Sequence, residues 1–202
     1  MITIRERDRI IVIGKTGTGK TYLVKKMLLP NFGSQSYVIW DPKRHFDPAG
    51  KQLLNGDLEE LKKGKARPYL YRPSAVKREN FKEEFNDLCR VIYQRKNSVL
   101  IVDELSRVNS PGYITPYHDV IMREGRERNV GIVNLCQRPR QTHNTLLSEA
   151  EHFFIFWVRL STDQKKIKQN LDITPEMLSD LNQHEFYYLN RDLNEPIKHQ
   201  PI

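Results

Sequence analysis

The chain has 202 residues, and its 33 Lys and Arg against 25 Asp and Glu give a net charge of +8. That length suffices for one domain with its own core. The cysteines and histidines lack the spacing of a zinc or redox site, which argues against a structural metal. The longest apolar run, residues 153–158, is far shorter than the roughly 20 residues that cross a bilayer, and the N-terminus is no signal peptide. We expect one soluble, intracellular domain over residues 1–202, without membrane insertion, whose positive charge favours a polyanionic partner.

Apolar runs alternate with segments of helical period along the chain, which predicts a mainly parallel sheet flanked by helices. Strands are predicted at residues 9–13, 37–40, 68–71, 98–102, 131–136 and 153–158. Helices are predicted at residues 20–28, 79–95, 116–127 and 145–150, and from Thr174 onward. Pro30 is expected to stop the first helix. A β-hairpin of residues 185–190 and 196–199 closes this α/β fold.

The segment after the first strand reads GKTGTGKT and matches the phosphate-binding pattern G-x-x-x-x-G-K-[ST]. Its glycines let backbone N–H groups and the helix N-terminus surround phosphates. Lys20 is predicted to reach the β- and γ-phosphates, and Thr21 to bind Mg2+. The predicted nucleotide-binding residues are Gly14, Lys15, Thr16, Gly17, Thr18, Gly19, Lys20 and Thr21. The position between a strand and a helix argues against an accidental glycine-rich turn.

A second pattern is the apolar run 99–102 followed by two acids, Asp103 and Glu104. This is the Walker B arrangement, in which Asp103 holds the hydration shell of Mg2+ and Glu104 orients and deprotonates the attacking water. The alternative is a pair of acids that only caps a strand end in solvent. An acid pair here favours hydrolysis over phosphoryl transfer to a small substrate.

Polar residues flank the strand at 131–136. Gln137 follows it, and open parallel sheets bind ligands beyond the carboxyl ends of their strands, so Gln137 is a candidate sensor of the γ-phosphate. Arg123, Arg126 and Arg128 precede it. Each of these arginines either ends a solvated helix or reaches into a neighbouring subunit's site as an arginine finger.

Together, the phosphate loop, the Asp103-Glu104 strand and the segment GRERNVGIVNLCQRP resemble the FtsK/HerA superfamily of ring-forming DNA-pumping ATPases. This superfamily includes the genome-packaging ATPases of double-jelly-roll viruses. The resemblance covers residues 9–160, and the loop 41–43 is similar to the superfamily's loop at that place. It implies a RecA/FtsK-like P-loop NTPase fold with Gln137 as the sensor and Arg126 as the trans-acting finger.

The resemblance also implies ATP as substrate, Mg2+ as cofactor, and double-stranded DNA as partner of a homo-oligomeric, hexameric ring. The short segments outside the core are similar to the small packaging ATPases of tailless icosahedral viruses, with no further domain expected. Such a motor would act in the host cytoplasm or at the assembling virion, with capsid vertex or portal proteins as partners. Arg123 and Arg128 remain alternative fingers. Candidate DNA contacts are Arg138, Arg140, Lys165, Lys166 and Lys168. For the lysines the alternative, which the pattern favours, is a solvated helix face.

Three other functions fit parts of the sequence. A plasmid or conjugative DNA translocase would share the motor core, and a small-molecule kinase would use the same phosphate loop with arginines clamping an acceptor. A GTPase is disfavoured because no N-K-x-D guanine-reading motif occurs. A non-hydrolysing scaffold is disfavoured because Lys20, Thr21, Asp103 and Glu104 are all intact.

Overall fold

The computed structural model describes residues 2–32, 36–74, 78–192 and 195–202. Its strands are β1 (Arg9–Ile13), β2 (Ser36–Trp40), β3 (Gln52–Asn55), β4 (Tyr69–Arg72), β5 (Ser98–Val102), β6 (Val130–Cys136), β7 (His152–Phe156), β8 (Phe186–Asn190) and β9 (Ile197–His199). They form one sheet in the order β3-β4-β2-β5-β6-β1-β7-β8-β9. Every neighbouring pair from β3 to β7 is parallel, and β8 and β9 add an antiparallel hairpin. The predicted mainly parallel sheet with a C-terminal hairpin is confirmed.

Helices cover both faces of this sheet. They are α1 (Lys20–Leu23), α2 (Leu29–Asn31), α3 (Glu59–Lys62), α4 (Arg78–Arg95), α5 (Pro116–Glu124), α6 (Asn144–Glu149), α7 (Ser161–Leu171) and α8 (Pro175–Ser179). Short 3-10 turns follow β5, α5 and β6, at Leu105–Arg107, Gly125–Arg128 and Pro139–Gln141. Among the described helices, none combines the length and apolar composition that a membrane crossing requires.

Burial on both faces explains why the central strands are almost entirely apolar. Every residue of β5 and β6 is buried, as expected for parallel strands covered on each side. The pleat sends alternate residues of β1 to opposite faces. Ile11 and Ile13 join the core beneath α4 and α5, whereas Ile10 and Val12 join the core beneath α1. Cys89 and Cys136 are both buried.

The first helix differs from its prediction. Pro30 does not stop it at residue 28, because the helical backbone continues to Asn31. A π-helical turn, Val24–Leu28, precedes the proline, and the N–H of Leu29 donates to the carbonyl of Val24, five residues back. Pro30 then lies in the first turn of a new short helical segment, where a missing N–H is tolerated.

Three elements of the described chain, β3, α3 and α7, were not among the predicted strands and helices, and others are displaced by a few residues. β3 and α3 lie in a stretch rich in lysine and glycine that reads as loop. The helix predicted to reach residue 127 is α-helical only to Glu124 and ends in a 3-10 turn. The strand predicted at residues 153–158 spans His152–Phe156. None of these differences removes a predicted strand from the sheet.

His118 joins α5 to the centre of the sheet. Its ring is fully buried, with Nε2 3.0 Å from Oδ1 of Asn134 in β6. The edge of Phe85 in α4 packs against it, with ring centroids 5.3 Å apart. Burial lowers the pKa of His118 to about 4, and the bond to Asn134 opposes this only in part.

The neutral state of His118 makes folding stability depend on pH. The unfolded histidine binds a proton near pH 6.5, the folded one only near pH 4, so its stabilisation is complete above pH 6.5 and is lost as the pH falls towards 4. We expect roughly 2 kcal/mol less free energy of unfolding at pH 5 than at pH 7 from this residue. Urea unfolding at both pH values measures it. His118→Gln should flatten the difference, and an unchanged difference in that variant would contradict the assignment.

Candidate functional site

The strand order brings four loops together at one edge of the sheet. β5 lies between β2 and β6, and β6 lies between β5 and β1, all parallel. The loops that follow these four strands therefore leave from the same edge. They enclose a cleft of about 280 Å³, called here the carboxyl-edge cleft. It is lined by Thr16, Gly17, Gly19, Lys20, Thr21, Tyr22, His45, Asp103, Glu104, Gln137 and His184.

The phosphate loop is anchored to its neighbours by backbone hydrogen bonds. The N–H of Gly14 donates to the carbonyl of Cys136 at 3.1 Å, and the N–H of Lys15 donates to that of Trp157 at 3.1 Å. Gly17 and Gly19 have φ of 84° and 109°, in the left-handed region that favours glycine. The loop curls over the start of α1, as the motif predicts, and this geometry suits an anion.

Lys20 lies beneath this loop and is only 8% exposed. Its Nζ donates to the carbonyls of Gly14 at 2.6 Å and Lys15 at 3.0 Å. Burial lowers the pKa of Lys20, and the negative charges of Asp103 and Glu104 are among the groups that oppose this. The ammonium group is thus held at the mouth of the loop, where phosphate oxygens can replace the carbonyls as its partners.

Asp103 and Thr21 present oxygen atoms to the same cleft. Asp103 is 5% exposed, and burial raises its pKa, opposed by His45, whose Nδ1 lies 3.2 Å from Oδ2. A hydroxyl and a carboxylate beside a phosphate loop are the donors that Mg2+ takes from proteins, since it keeps several waters and binds substrate phosphates. The residues therefore fit the predicted metal.

Glu104 occupies a strained position at the end of β5, with φ 56° and ψ 52°. Its Oε2 lies 2.7 Å from Nζ of Lys43 in an ion pair and accepts a hydrogen bond from Nε2 of Gln137 at 2.9 Å. The hydroxyl of Thr16 donates to Oε1 of Gln137 at 3.0 Å. Gln137 therefore bridges the phosphate loop and Glu104, a suitable place for the predicted sensor.

The loop after β2 adds two residues that sequence reasoning missed, Lys43 beside Glu104 and His45 beside Asp103. The similarity of residues 41–43 to the superfamily's loop drew attention to this place but assigned it no side chain. Asp41, fully buried, shapes the loop, because its carboxylate accepts from the N–H groups of His45 at 2.8 Å and Phe46 at 3.2 Å. Lys43 and His45 lie beside these two acids because β2 and β5 are neighbours in the sheet, a pairing that the sequence does not reveal.

Arg126 lies at the other edge of the sheet. It precedes β6, whereas Gln137 follows it, and seven residues of strand span roughly 20 Å. Nη1 of Arg126 pairs with Oε1 of Glu151 at 3.0 Å, and its side chain is 47% exposed. The alternative fingers are at the same edge, Arg123 pairing with Asp119 and Arg128 stacked over Tyr93. The structure brings none of the three into the carboxyl-edge cleft of its own chain.

The basic residues after β6 are partly engaged within the chain. Nε of Arg138 donates to Oδ2 of Asp163 at 2.7 Å, and the backbone N–H of Arg140 donates to Oδ1 at 3.0 Å. Lys165 and Lys168 are exposed on α7, and Lys166 contacts Asn144. The exposure of Lys165 and Lys168 is compatible with a solvated helix face, the alternative to DNA contact for these lysines.

A second cleft, mostly apolar, opens beside the start of α1. It has a volume of about 280 Å³ and shares Gly19, Tyr22 and His184 with the carboxyl-edge cleft. Its remaining lining residues are Leu23, Phe156, Pro201 and Ile202. The ring of Tyr22 is half exposed and available for stacking. We call this the apolar cleft.

Comparison with known proteins gives relatives along almost the whole chain, although no protein-family model matches it. The DNA packaging ATPase P9 of Enterobacteria phage PRD1 is 26% identical over 187 residues, covering 88% of this chain and 77% of that protein. Protein P9 of Pseudoalteromonas phage PM2 is 20% identical over 200 residues, with coverages of 95% and 89%.

Comparison with solved structures also finds a viral genome-packaging protein. The genome packaging NTPase B204 from Sulfolobus turreted icosahedral virus 2, in complex with AMPPCP, superposes with a TM-score of 0.83 at 19% identity, covering 98% of this chain and 100% of that one. The predicted P-loop NTPase fold is confirmed. The predicted resemblance to viral genome-packaging ATPases is confirmed as well.

The close packing of Gly14 yields a test of the loop. An added Cβ would lie 2.6 Å from Oγ1 of Thr18 and 2.7 Å from Cβ of Phe156, distances that real side chains do not tolerate. Gly14→Ala should displace the loop and weaken binding of a fluorescent ATP analogue at least tenfold, about 1.4 kcal/mol. Gly112→Ala is the matched control, since a Cβ there meets nothing within 4 Å. Unchanged affinity in Gly14→Ala would contradict this role of the loop.

Proposed function

We propose that this chain is an ATP-hydrolysing motor that drives viral double-stranded DNA into a capsid. The observation that carries the proposal is the meeting of Lys20, Asp103, Glu104 and Gln137 in one cleft at the carboxyl edge of the sheet. The relative from phage PRD1, named a DNA packaging ATPase, supports the biological assignment.

The residues of the cleft divide the chemistry among them. The phosphate loop binds the ATP phosphates through its N–H groups, and Lys20 neutralises charge that develops on the β- and γ-phosphates. Thr21 and Asp103 would hold Mg2+, which supplies further neutralisation of phosphate charge when bound. Glu104 accepts a proton from water as the water oxygen bonds to the γ-phosphorus and the bond to the β-phosphate oxygen breaks. The products are ADP, inorganic phosphate and a proton.

The nucleotide base is assigned to the apolar cleft. A purine is planar and largely apolar, and this cleft joins the carboxyl-edge cleft at Gly19 and Tyr22, where the phosphate loop runs into α1. Tyr22 offers a ring face for stacking. Among the described residues, those that line this cleft include no Asp, Glu, Lys or Arg, which suits a neutral base.

Arg126 is assigned to a neighbouring subunit's site. Its place at the amino edge, about 20 Å from its own Gln137 along β6, fits action in trans. A contact between the amino edge of one copy and the carboxyl edge of the next is heterologous, and such contacts form a ring when the rotation between copies closes. We propose a hexameric ring around duplex DNA, with the net charge of +8 favouring the phosphate backbone. Capsid vertex or portal proteins would anchor it in the host cytoplasm at the assembling virion.

Translocation can be tested with linear duplex DNA that carries a third, triplex-forming strand. The wild-type chain with ATP should displace that strand, because a motor moving along the duplex removes it. Glu104→Gln should bind ATP and DNA but displace nothing, since it lacks the base. ATP hydrolysis without displacement, in assembled rings, would contradict a self-sufficient motor and favour one that requires its capsid partner. Equal displacement by Glu104→Gln would remove Glu104 from the role of base.

Action of the arginine in trans can be tested by mixing subunits. Arg126→Ala should bind ATP normally but hydrolyse it about 10³-fold more slowly or worse. Its fold should be intact, because a half-exposed ion pair contributes little stability. Mixing it with Lys20→Ala subunits should restore part of the ATPase rate, because some interfaces then combine an intact phosphate loop with an intact arginine. Recovery with Arg123→Ala or Arg128→Ala, but none with Arg126→Ala, would reassign the finger.

A further inference from the structure

Both neighbours of β5 contribute a polar partner to Glu104, a hydrogen bond from one side and an ion pair from the other. β6 is followed by Gln137, and β2 is followed by the loop that carries Lys43. The two partners converge on one oxygen, Oε2, at 2.9 Å and 2.7 Å. Among the described residues, no hydrogen bond or ion pair reaches the other oxygen, Oε1. Gln137 and Lys43 therefore hold the carboxylate through Oε2, while Oε1 remains available to another ligand.

The loop around Lys43 is built to hold this position. The buried carboxylate of Asp41 bonds to the N–H groups of His45 and Phe46, so the chain folds back after β2. Arg44 lies at the turn with φ 59°, in the left-handed region. This fold directs Lys43 towards the end of β5, while Arg44 is exposed.

Glu104 is the less exposed partner of this ion pair. The side chain of Glu104 is 10% exposed and that of Lys43 is 34% exposed. Removal of water lowers the local dielectric, which increases the attraction between the two charges. The backbone of Glu104 is held in a strained conformation. The fixed partner of its side chain further limits the orientations that the carboxylate can adopt.

We propose that Lys43 is a positioning residue that fixes Oε2 of Glu104 and thereby aims Oε1 at the attacking water. This role rests on the proposed ATP hydrolysis. Oε1 accepts one proton from the water, whose oxygen forms the new bond to the γ-phosphorus. The electron pair of the broken bond stays on the β-phosphate oxygen of ADP. Lys43 keeps its protons throughout and touches neither the water nor the phosphate.

Steady-state kinetics of three variants test this role. Lys43→Met keeps most of the side-chain length but removes the charge, and it should lower kcat about tenfold to a hundredfold with KM for ATP nearly unchanged. Lys43→Arg should recover part of kcat, because it restores a charged donor. Arg44→Asn is the matched control, since it removes a cation from the same loop and asparagine tolerates a left-handed backbone. It should leave kcat and KM as they are. Unchanged binding of an ATP analogue by all three would show intact folding.

Combination with Glu104→Gln separates Lys43 from a direct ligand of the nucleotide. If Lys43 acts through Glu104, adding Lys43→Met to Glu104→Gln should lower kcat no further. A further loss in the double variant, or a raised KM with unchanged kcat in Lys43→Met, would overturn the positioning role and make Lys43 a phosphate ligand. Wild-type kcat in Lys43→Met would overturn any role. Failure of the wild-type chain to hydrolyse ATP would instead overturn the proposed function, and this role with it.

Discussion

Parallel pairing of β2, β5, β6 and β1 is the constraint on which the site depends. Trp40 pairs with Val102, Val102 with Asn134, and Ile13 with Cys136, so the four strands end nearly level. Four loops then begin at one edge, and each contributes polar groups to the cleft. The driving force is burial of apolar residues on both faces of the sheet, which fixes the pairing register because a one-residue shift would turn core residues outward. The cleft is thus a consequence of core packing.

The two edges of the same strands have different chemistry. The carboxyl edge holds Lys20, Asp103 and Glu104, which suit phosphate and metal. The amino edge holds Arg126, which a single copy cannot bring to its own cleft. Because each copy carries both halves, a head-to-tail contact between copies would complete one site at every interface. Under the proposed function, this division would link nucleotide hydrolysis to the assembly of subunits into a ring.

Local patterns in the sequence were sufficient to predict the phosphate loop, the acids at residues 103 and 104, and the positions of most strands along the chain. These features are determined by residues that are adjacent in the sequence. The contacts of Lys43 and His45 could not be predicted, because they depend on β2 lying beside β5, a matter of strand order. The short β3 was missed because its flanking lysines and glycines read as loop, and Pro30 was misread because the π-helical turn before it was not foreseen.

The central claim is that nucleotide hydrolysis at this cleft is coupled to duplex DNA. It is tested most directly by the ATPase rate with and without linear double-stranded DNA, at low salt and at protein concentrations where rings assemble. The account predicts clear stimulation by DNA that declines steeply with added salt, with a log-log slope of about −0.9 for each phosphate contacted. An ATPase rate from assembled rings that is the same with and without DNA would contradict it.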